Sequence, residues 1–345
     1  MLALRTPEDL ATVDDRVRVA GEAANAAATA YAFADYTSRK AANTLTAQRA
    51  DLRLFSEYLA EAVGAVRTPE DLQAEAAAWL GVTWGIVAAF VPWLLARGLA
   101  HSSISRALTT VKTYARLAHK AGAIDSDNAL RIRSVLAYSG KEAKRVDEAR
   151  AQAGTPTRKG HKKGEATRIT DDQAKALKGQ PDTPQGRRDA LLMALLLDHG
   201  LRESELEHVT MSAIDLAAGT FTFYRPKVDK VQTHKLSTAT LRALRAWVDN
   251  GHAPDAGPIL RGSRKGGELL DTPMSLSAIR QRVRALGEAA GVAGLSPHDC
   301  RHYWATRWAG KVDLLRLQEA GGWSSLEMPR RYVAWAAIAN EGMND

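Results

Sequence analysis

Cysteine is almost absent. Cys300 stands alone among 345 residues, so no internal disulfide can form and no Cys-x-x-Cys pair is available for zinc or redox work. Metal-ligand spacing is missing as well. His298 precedes His302 by four residues, but no carboxylate and cysteine partners accompany them, and a mononuclear zinc site is not expected. Charge is absent from Ala76 to Ala96, a length that would match a bilayer. Gly81, Thr83, Gly85 and Pro92 divide that stretch, however, and Thr83 is placed to cap a helix from Trp84 to Leu95 that kinks near Pro92. A buried helix accounts for it better than a membrane span. Met1 to Ala20 alternates charged with apolar residues, so no signal peptide is expected, and an intracellular setting fits.

What is present describes a globular chain. Apolar residues make up 45% and charged residues 25%, and the length suits two domains that each bury a core. The formal net charge of +8 is compatible with a polyanionic partner, although basicity alone does not identify one.

Residues 1–36 are alanine-rich and read as a helical N-terminal arm. The hexapeptide Arg-Thr-Pro-Glu-Asp-Leu occurs at Arg5–Leu10 and again at Arg67–Leu72. In both copies Thr serves as N-cap, Pro takes the first helical position and acids fill the first turn. The surroundings do not repeat, so this is shared capping chemistry and no domain repeat. Residues 37–140 read as an all-helical domain. Leu45, Leu52, Phe55 and Leu59 recur at helical spacing, as do Ile104, Leu108, Val111, Tyr114 and Leu117 in a run from Ser103 to Ala118. Arg106, Lys112 and Arg116 lie off that second stripe. They fit a solvated face or a surface that meets phosphates. Residues 141–168 carry Lys141, Lys144, Arg145, Arg158, Lys159 and several glycines with little that is apolar, the composition of a basic interdomain linker.

A second domain is expected over residues 169–345. Thr170 to Gln173 caps a helix, Arg188 to His199 forms another that Gly200 ends, Thr220 to Tyr224 alternates as a strand, and Val231 to Leu236 returns as its hairpin partner. Ser275 to Asn340 is helical again. The fold class is therefore mainly α, with an all-helical first domain and an α-rich second domain holding a small antiparallel sheet.

Four segments of the second domain gain meaning together. They are Gly200-Leu201-Arg202-Glu203-Ser204-Glu205, the hairpin around Lys227, Pro297-His298-Asp299-Cys300-Arg301-His302, and Gly321-Gly322-Trp323 with Tyr332 nine residues later. Taken singly, Arg202 would be a helix-end charge, the hairpin lysines edge-strand solubilisers and Tyr332 a packing residue. As a set they supply a nucleophile, two permanently charged forks for a phosphate, a proton acceptor near neutral pH and a donor for a leaving alkoxide.

In order and spacing these motifs resemble those of the tyrosine recombinase (phage integrase) family. The likeness covers Ile169 to the C-terminus and extends more softly over Trp84 to Ile124, which resembles the helical core-binding domain of the family. The resemblance implies that Arg202 and Arg301 clamp a scissile phosphate and that His298 acts on the proton of Tyr332. Trp323 stands where most members carry His and Cre-like members carry Trp, and Glu205 orients the first arginine. His302 reads as structural. The lysine is Lys227 or Lys230, with Pro-Lys-x-x-Lys favouring Lys227. DNA-contacting residues are expected at Arg106, Lys112, Lys141, Lys144, Arg145, Lys230, Arg280 and Arg282, with base contacts arising mostly in the helices of the first domain and between Met274 and Leu286.

The reaction implied is strand cleavage and rejoining through a 3′-phosphotyrosyl bond, with no cofactor, metal or ATP. The partners implied are double-stranded DNA carrying a specific recombination site and further copies of this chain, two per site and four in a synapse, with accessory DNA-bending proteins as a further class of partner and with no membrane. A cytoplasmic, nucleoid-associated location follows. The tail bearing Val333, Trp335 and Ile338 fits either docking on a neighbouring copy or packing on its own domain. A type IB topoisomerase shares this chemistry, and a catalytically inert DNA-binding architectural protein is the remaining alternative.

Overall fold

The computed structural model describes residues 13–154 and 166–336. The first Arg-Thr-Pro-Glu-Asp-Leu copy, linker residues Arg158 and Lys159, and Ile338 lie outside the described residues. The chain divides into two compact units, residues 1–162 and 163–345.

The first unit is helical: α1 (Val13–Ala30), α2 (Ala32–Ser38), α3 (Ala42–Tyr58), α4 (Pro69–Ala74), α5 (Trp84–Ala96), α6 (His101–Lys120), α7 (Ser126–Ser134) and α8 (Gly140–Gln152). A π-turn over Leu59–Val63 prolongs α3. The surviving hexapeptide behaves as its chemistry requires: Thr68 accepts from the Asp71 backbone N–H and Pro69 opens α4. Helix α3 packs on α6, and α5 packs on α6 and α7. The core between them holds Leu52, Phe55, Trp79, Phe90, Ile104, Val111 and Tyr114, with Phe55 stacked on Trp79 at 5.6 Å. Both apolar stripes read from the sequence face this core, apart from Leu45, which is half-buried outside it.

Three details differ from the sequence reading. Phe33 of α2 is buried in this core, so the N-terminal arm contributes to the first unit instead of lying outside it. Thr83 precedes α5 without a capping bond from its side chain, and the Trp84 N–H donates to Asn128 Oδ1 instead. The first part of the expected basic linker is helical. Residues 140–152 form α8, opened by a reciprocal capping box between Ser139 and Glu142 and pinned by Arg150, whose guanidinium donates to the carbonyls of Leu95 and Leu99.

The second unit is built on α10 (Pro184–His199). It packs against α9 (Asp171–Lys178), α12 (Thr238–Asp249) and α14 (Pro297–Trp308). Thr183 caps α10 and Pro184 takes its first position, so the helix begins four residues before Arg188. Nearly every turn of α10 is buried, Leu191 through Leu197 included, which makes it the central rod of the unit. A short α11 (Glu203–Leu206) follows, then β1 (Ile214–Asp215), β2 (Thr220–Arg225) and β3 (Lys230–Lys235) in one antiparallel sheet. β2 and β3 pair from Thr220↔Lys235 to Arg225↔Lys230, so β2 runs one residue longer and β3 lies one residue earlier than the sequence expectation. β4 (Arg261–Ser263) and β5 (Leu269–Pro273) form a second hairpin that the sequence did not announce. Helices α13 (Leu276–Ala289), α14, α15 (Leu314–Gly321) and α16 (Glu327–Ala336) complete the unit. Among the described residues no helix is long and apolar enough to cross a membrane.

His199, the last residue of α10, is buried against Phe221, and half-buried His234 of β3 packs on Phe221 and Phe223. Burial lowers the imidazole of His199 to about 4 and that of His234 to about 3, so both are held neutral. Because the folded values lie below the unfolded one, the stability they confer is complete above pH 6.5 and drains away as pH falls toward 4. Replacing His199 by Gln should remove its share. In urea titrations the wild-type chain should lose up to about 1.4 kcal/mol per pH unit more than the variant over that window. Parallel curves for the two proteins would refute a neutral buried His199.

Candidate active site

The site gathers where three helix ends meet, and glycine shapes two of them. Gly200 closes α10 in the left-handed region (φ +61°), and a Cβ there would overlap the Trp304 ring. The chain turns, buries Leu201 and enters α11 with Arg202 in extended conformation. Glu205, three residues on, accepts the Arg202 backbone N–H at 2.9 Å and its guanidinium Nη1 at 2.7 Å. Gly-Leu-Arg-x-Ser-Glu is thus a helix stop followed by a helix start that presents an arginine already gripped by a carboxylate.

The second arginine comes from α14. Ser296 caps it, Pro297 takes the first position and Asp299 completes a capping box. His298, Arg301 and His302 stand at i, i+3 and i+4, which places them on one face of the helix, while Cys300 turns into the hydrophobic core. Arg301 is buried. Its guanidinium donates to Gly200 O at 2.6 Å and to Gly321 O. Burial and the neighbouring Arg202 pull it down to about 9, so it stays charged at neutral pH.

The third end is that of α15. Gly322 adopts φ +56° and Gly321 lies beneath Trp323; a Cβ on Gly321 would overlap the indole, and one on Gly322 would overlap the Arg225 side chain. The exposed carbonyls of this corner hold the arginines: Gly322 O accepts from Arg202 at 3.2 Å and Gly321 O from Arg301. Trp323 lies over the Arg301 guanidinium at 4.7 Å and beside Tyr332 at 5.5 Å.

Tyr332 sits on α16, 1% exposed. Burial pushes its phenol above the usual tyrosine value, opposed by Arg301 and then Arg202. The His302 ring meets it edge-on at 5.2 Å and meets His298 at 4.5 Å, so His302, expected only as a structural residue, lies against both rings. Burial, then Arg301, lowers His298, and burial, then His298, lowers His302, leaving neutral imidazoles at neutral pH.

One member of the cluster escaped the sequence reading. Arg225, the last residue of β2, is wholly buried and donates Nη1 to both oxygens of Glu205 at 2.9 and 2.8 Å. A signal was present: Phe221, Phe223 and Arg225 share the inward phase of the strand, so an arginine stands where a third apolar side chain belongs. Arg202, Arg225 and Arg301 carry three positive charges against the single negative charge of Glu205, so this group holds a net two positive charges. That is a place for a multiply charged anion such as a phosphate in transfer.

The lysine alternatives separate in the structure. Lys230 is paired with Glu319 at 2.5 Å, while Lys227 stands exposed at the tip of the β2–β3 turn. Several residues expected at DNA already have protein partners. Arg106 pairs with buried Asp51 at 2.9 Å, Lys112 donates to Val135 O at 2.7 Å, Arg280 bonds Glu203 at 2.8 Å, and Arg282 bonds buried Asp189 at 2.7 Å. Lys141, Lys144 and Arg145 are exposed on α8. Between α6 and α7 an open hollow of about 650 Å³ is lined by Lys112, Arg116, His119 and Arg133. No metal-binding cluster of His, Cys, Asp or Glu occurs among the described residues.

The close approach at the α15 end gives a test. Gly310 (φ +81°) faces open space, whereas Gly322 faces Arg225. Alanine should cost about 1–2 kcal/mol of left-handed strain at either position. Only Gly322→Ala should lose clearly more than that in urea unfolding, because the side chain also displaces Arg225. Equal losses would mean that the contact with Arg225 does not constrain residue 322.

Comparison with known proteins identifies the family and the fold. Residues 167–337 match the phage integrase family. The chain is 28% identical over 259 residues to tyrosine recombinase XerC of Mycobacterium sp. (strain KMS), covering 73% of this chain and 78% of that one. It is 26% identical over 309 residues to tyrosine recombinase XerC of Xylella fastidiosa (strain 9a5c), covering 88% and 90%. In fold it is similar to the Tn1549 transposon integrase in complex with transposon right end DNA, with a TM-score of 0.61 at 14% identity over 91% of this chain and 97% of that one. It is also similar to a lambda integrase dimer bound to a core site, with a TM-score of 0.59 at 16% identity over 87% and 92%. With motifs, fold and relatives in agreement, the chain belongs to the phage integrase family and is a tyrosine site-specific recombinase.

Proposed function

We propose that this recombinase cuts and rejoins DNA through a covalent bond between Tyr332 and a 3′-phosphate, in two transesterifications. The observation that carries the reading is the convergence of Arg202 and Arg301 on the carbonyl corner of Gly321 and Gly322, beside Trp323 and Tyr332. The two guanidiniums take the non-bridging oxygens of the scissile phosphate, and their positive charge matches the charge that builds up on the pentacoordinate phosphorus.

The Tyr332 oxygen attacks phosphorus and the P–O5′ bond breaks. Its proton passes to neutral His298, with His302 steadying both rings, and Lys227 gives a proton to the departing 5′ oxygen. A 5′-hydroxyl from a partner strand then attacks the phosphotyrosine, Tyr332 regains its proton and the strand is resealed. The bond energy is kept in the covalent link throughout. Because the phenol is buried, the reactive form has α16 displaced enough to bring Tyr332 onto the phosphate.

The partner is double-stranded DNA with a recombination site, as the DNA-bound relatives suggest. Lys141, Lys144 and Arg145 on α8 and the basic hollow between α6 and α7 would follow its backbone. Arg106, Lys112, Lys230, Arg280 and Arg282 would have to exchange their present partners for phosphates. Two copies per site and four per synapse complete the reading, with accessory DNA-bending proteins an open addition.

Two outcomes are expected. Tyr332→Phe should bind site DNA as the wild type does yet give no denaturation-resistant protein–DNA band with a nicked suicide substrate; a band that persists would rule out Tyr332. Since His298 lies below the ordinary 6.5, the acid limb of the cleavage rate should have its midpoint under pH 6.5. A midpoint at or above that value would show that neutral His298 is not the acceptor.

A further inference from the structure

Arg225 makes more of its hydrogen bonds within the protein than any role as bulk filler would require. Besides gripping Glu205, its Nε donates to Gln232 Oε1 at 2.5 Å and its Nη2 to Ala320 O at 2.7 Å, and its guanidinium lies over the Phe223 ring at 4.7 Å. A buried charge is expensive to desolvate, and an apolar residue in this phase would extend the face of Phe221 and Phe223. What the arginine supplies in place of packing is a fixed link between three pieces of chain.

The first piece is Glu205, the carboxylate that also holds Arg202. The second is the α15 end, whose next two residues hold Arg202 and Arg301. The third is the β2–β3 hairpin itself. Arg225 pairs with Lys230 across the base of the turn, and its carbonyl accepts the Val228 N–H at 3.2 Å. Residues 226–229 are therefore a short closed turn, tightened by the Tyr224 hydroxyl donating to Asp229 at 2.8 Å. Lys227 rides on that turn two residues from Arg225. Gln232 Nε2 adds a bond to Glu319 O at 2.6 Å, so the root of the hairpin is fastened while its lysine tip is exposed.

We infer that Arg225 is a positioning residue for Lys227. By tying the root of the hairpin to the carboxylate that holds Arg202, it sets the distance from the lysine ammonium to the 5′ oxygen of a phosphate bound at Arg202 and Arg301. The inference rests on the reading in which Lys227 protonates that oxygen.

The test uses a leaving group that needs no proton. In a suicide substrate whose bridging 5′ oxygen is replaced by sulfur, the same P–S bond cleavage by Tyr332 releases a thiolate, which leaves unprotonated because thiols are far stronger acids than alcohols. The full-length chain is compared with Lys227→Ala, Arg225→Lys and Gln232→Leu on the oxygen and sulfur substrates. Arg225→Lys keeps the charge beside Glu205 but loses the fork that reaches Gln232 and Ala320. On oxygen it should cleave roughly 10- to 100-fold more slowly than wild type, with Lys227→Ala slower still. On sulfur both should return to within about 3-fold of wild type.

Gln232→Leu removes one of the anchoring bonds without unpairing a charge. It should show a smaller loss with the same selective recovery, and it decides the matter if Arg225→Lys does not fold. An equal loss on both substrates for Arg225→Lys and Gln232→Leu, beside a recovered Lys227→Ala, would overturn the inference and leave the assignment of Lys227 standing. A Lys227→Ala that sulfur does not recover would overturn the underlying reading and the inference with it.

Discussion

The carboxylate of Glu205 is the fixed point of the catalytic unit. It is fully buried and shared by two guanidiniums, one from the turn after α10 and one from β2. A carboxylate in that position is tolerable only because its oxygens are occupied by charge-assisted hydrogen bonds. Taking away one partner of such a group costs about 3–5 kcal/mol, since the remaining charge stays buried. Several elements thereby lose their independence. The turn after α10, the end of β2 and through it the root of the lysine hairpin are all tied to one acidic side chain.

Around that point the backbone does much of the work usually given to side chains. Gly200, Gly321 and Gly322 let helix ends approach Trp304, Trp323 and Arg225 more closely than any side chain would allow. The carbonyls exposed at those ends accept from Arg202 and Arg301. The arginines are therefore held in place by the protein itself, three guanidiniums around the one buried carboxylate of Glu205. Preorganisation of this kind lowers the reorganisation needed when charge builds on phosphorus.

Much of this was legible in the sequence because the chemistry is local. Gly-Leu-Arg-x-Ser-Glu encodes a helix stop and start, and Pro-His-Asp-x-Arg-His encodes a capped helix that sets His298, Arg301 and His302 on one face. Arg225 was missed because its role depends on what β2 packs against, although its phase with Phe221 and Phe223 marked it as inward. Composition misjudged residues 140–152, where a capping box and a buried Arg150 make a helix of a sequence with the look of a linker. The nominated DNA-contacting cations were the least legible. A sequence shows that Arg106 or Arg282 is charged, but not that Asp51 or Asp189 waits across the fold to neutralise it.

The proposed chemistry depends on which atom of the protein becomes joined to DNA. The most direct measurement is to trap the covalent complex on a nicked suicide substrate, digest DNA and protein, and sequence the nucleotide-bearing peptide by tandem mass spectrometry. The account predicts a single modified residue, Tyr332, carrying its nucleotide through a 3′-phosphate. A nucleotide on any other residue, Tyr303 or Tyr138 for example, or linkage through a 5′-phosphate, would contradict it.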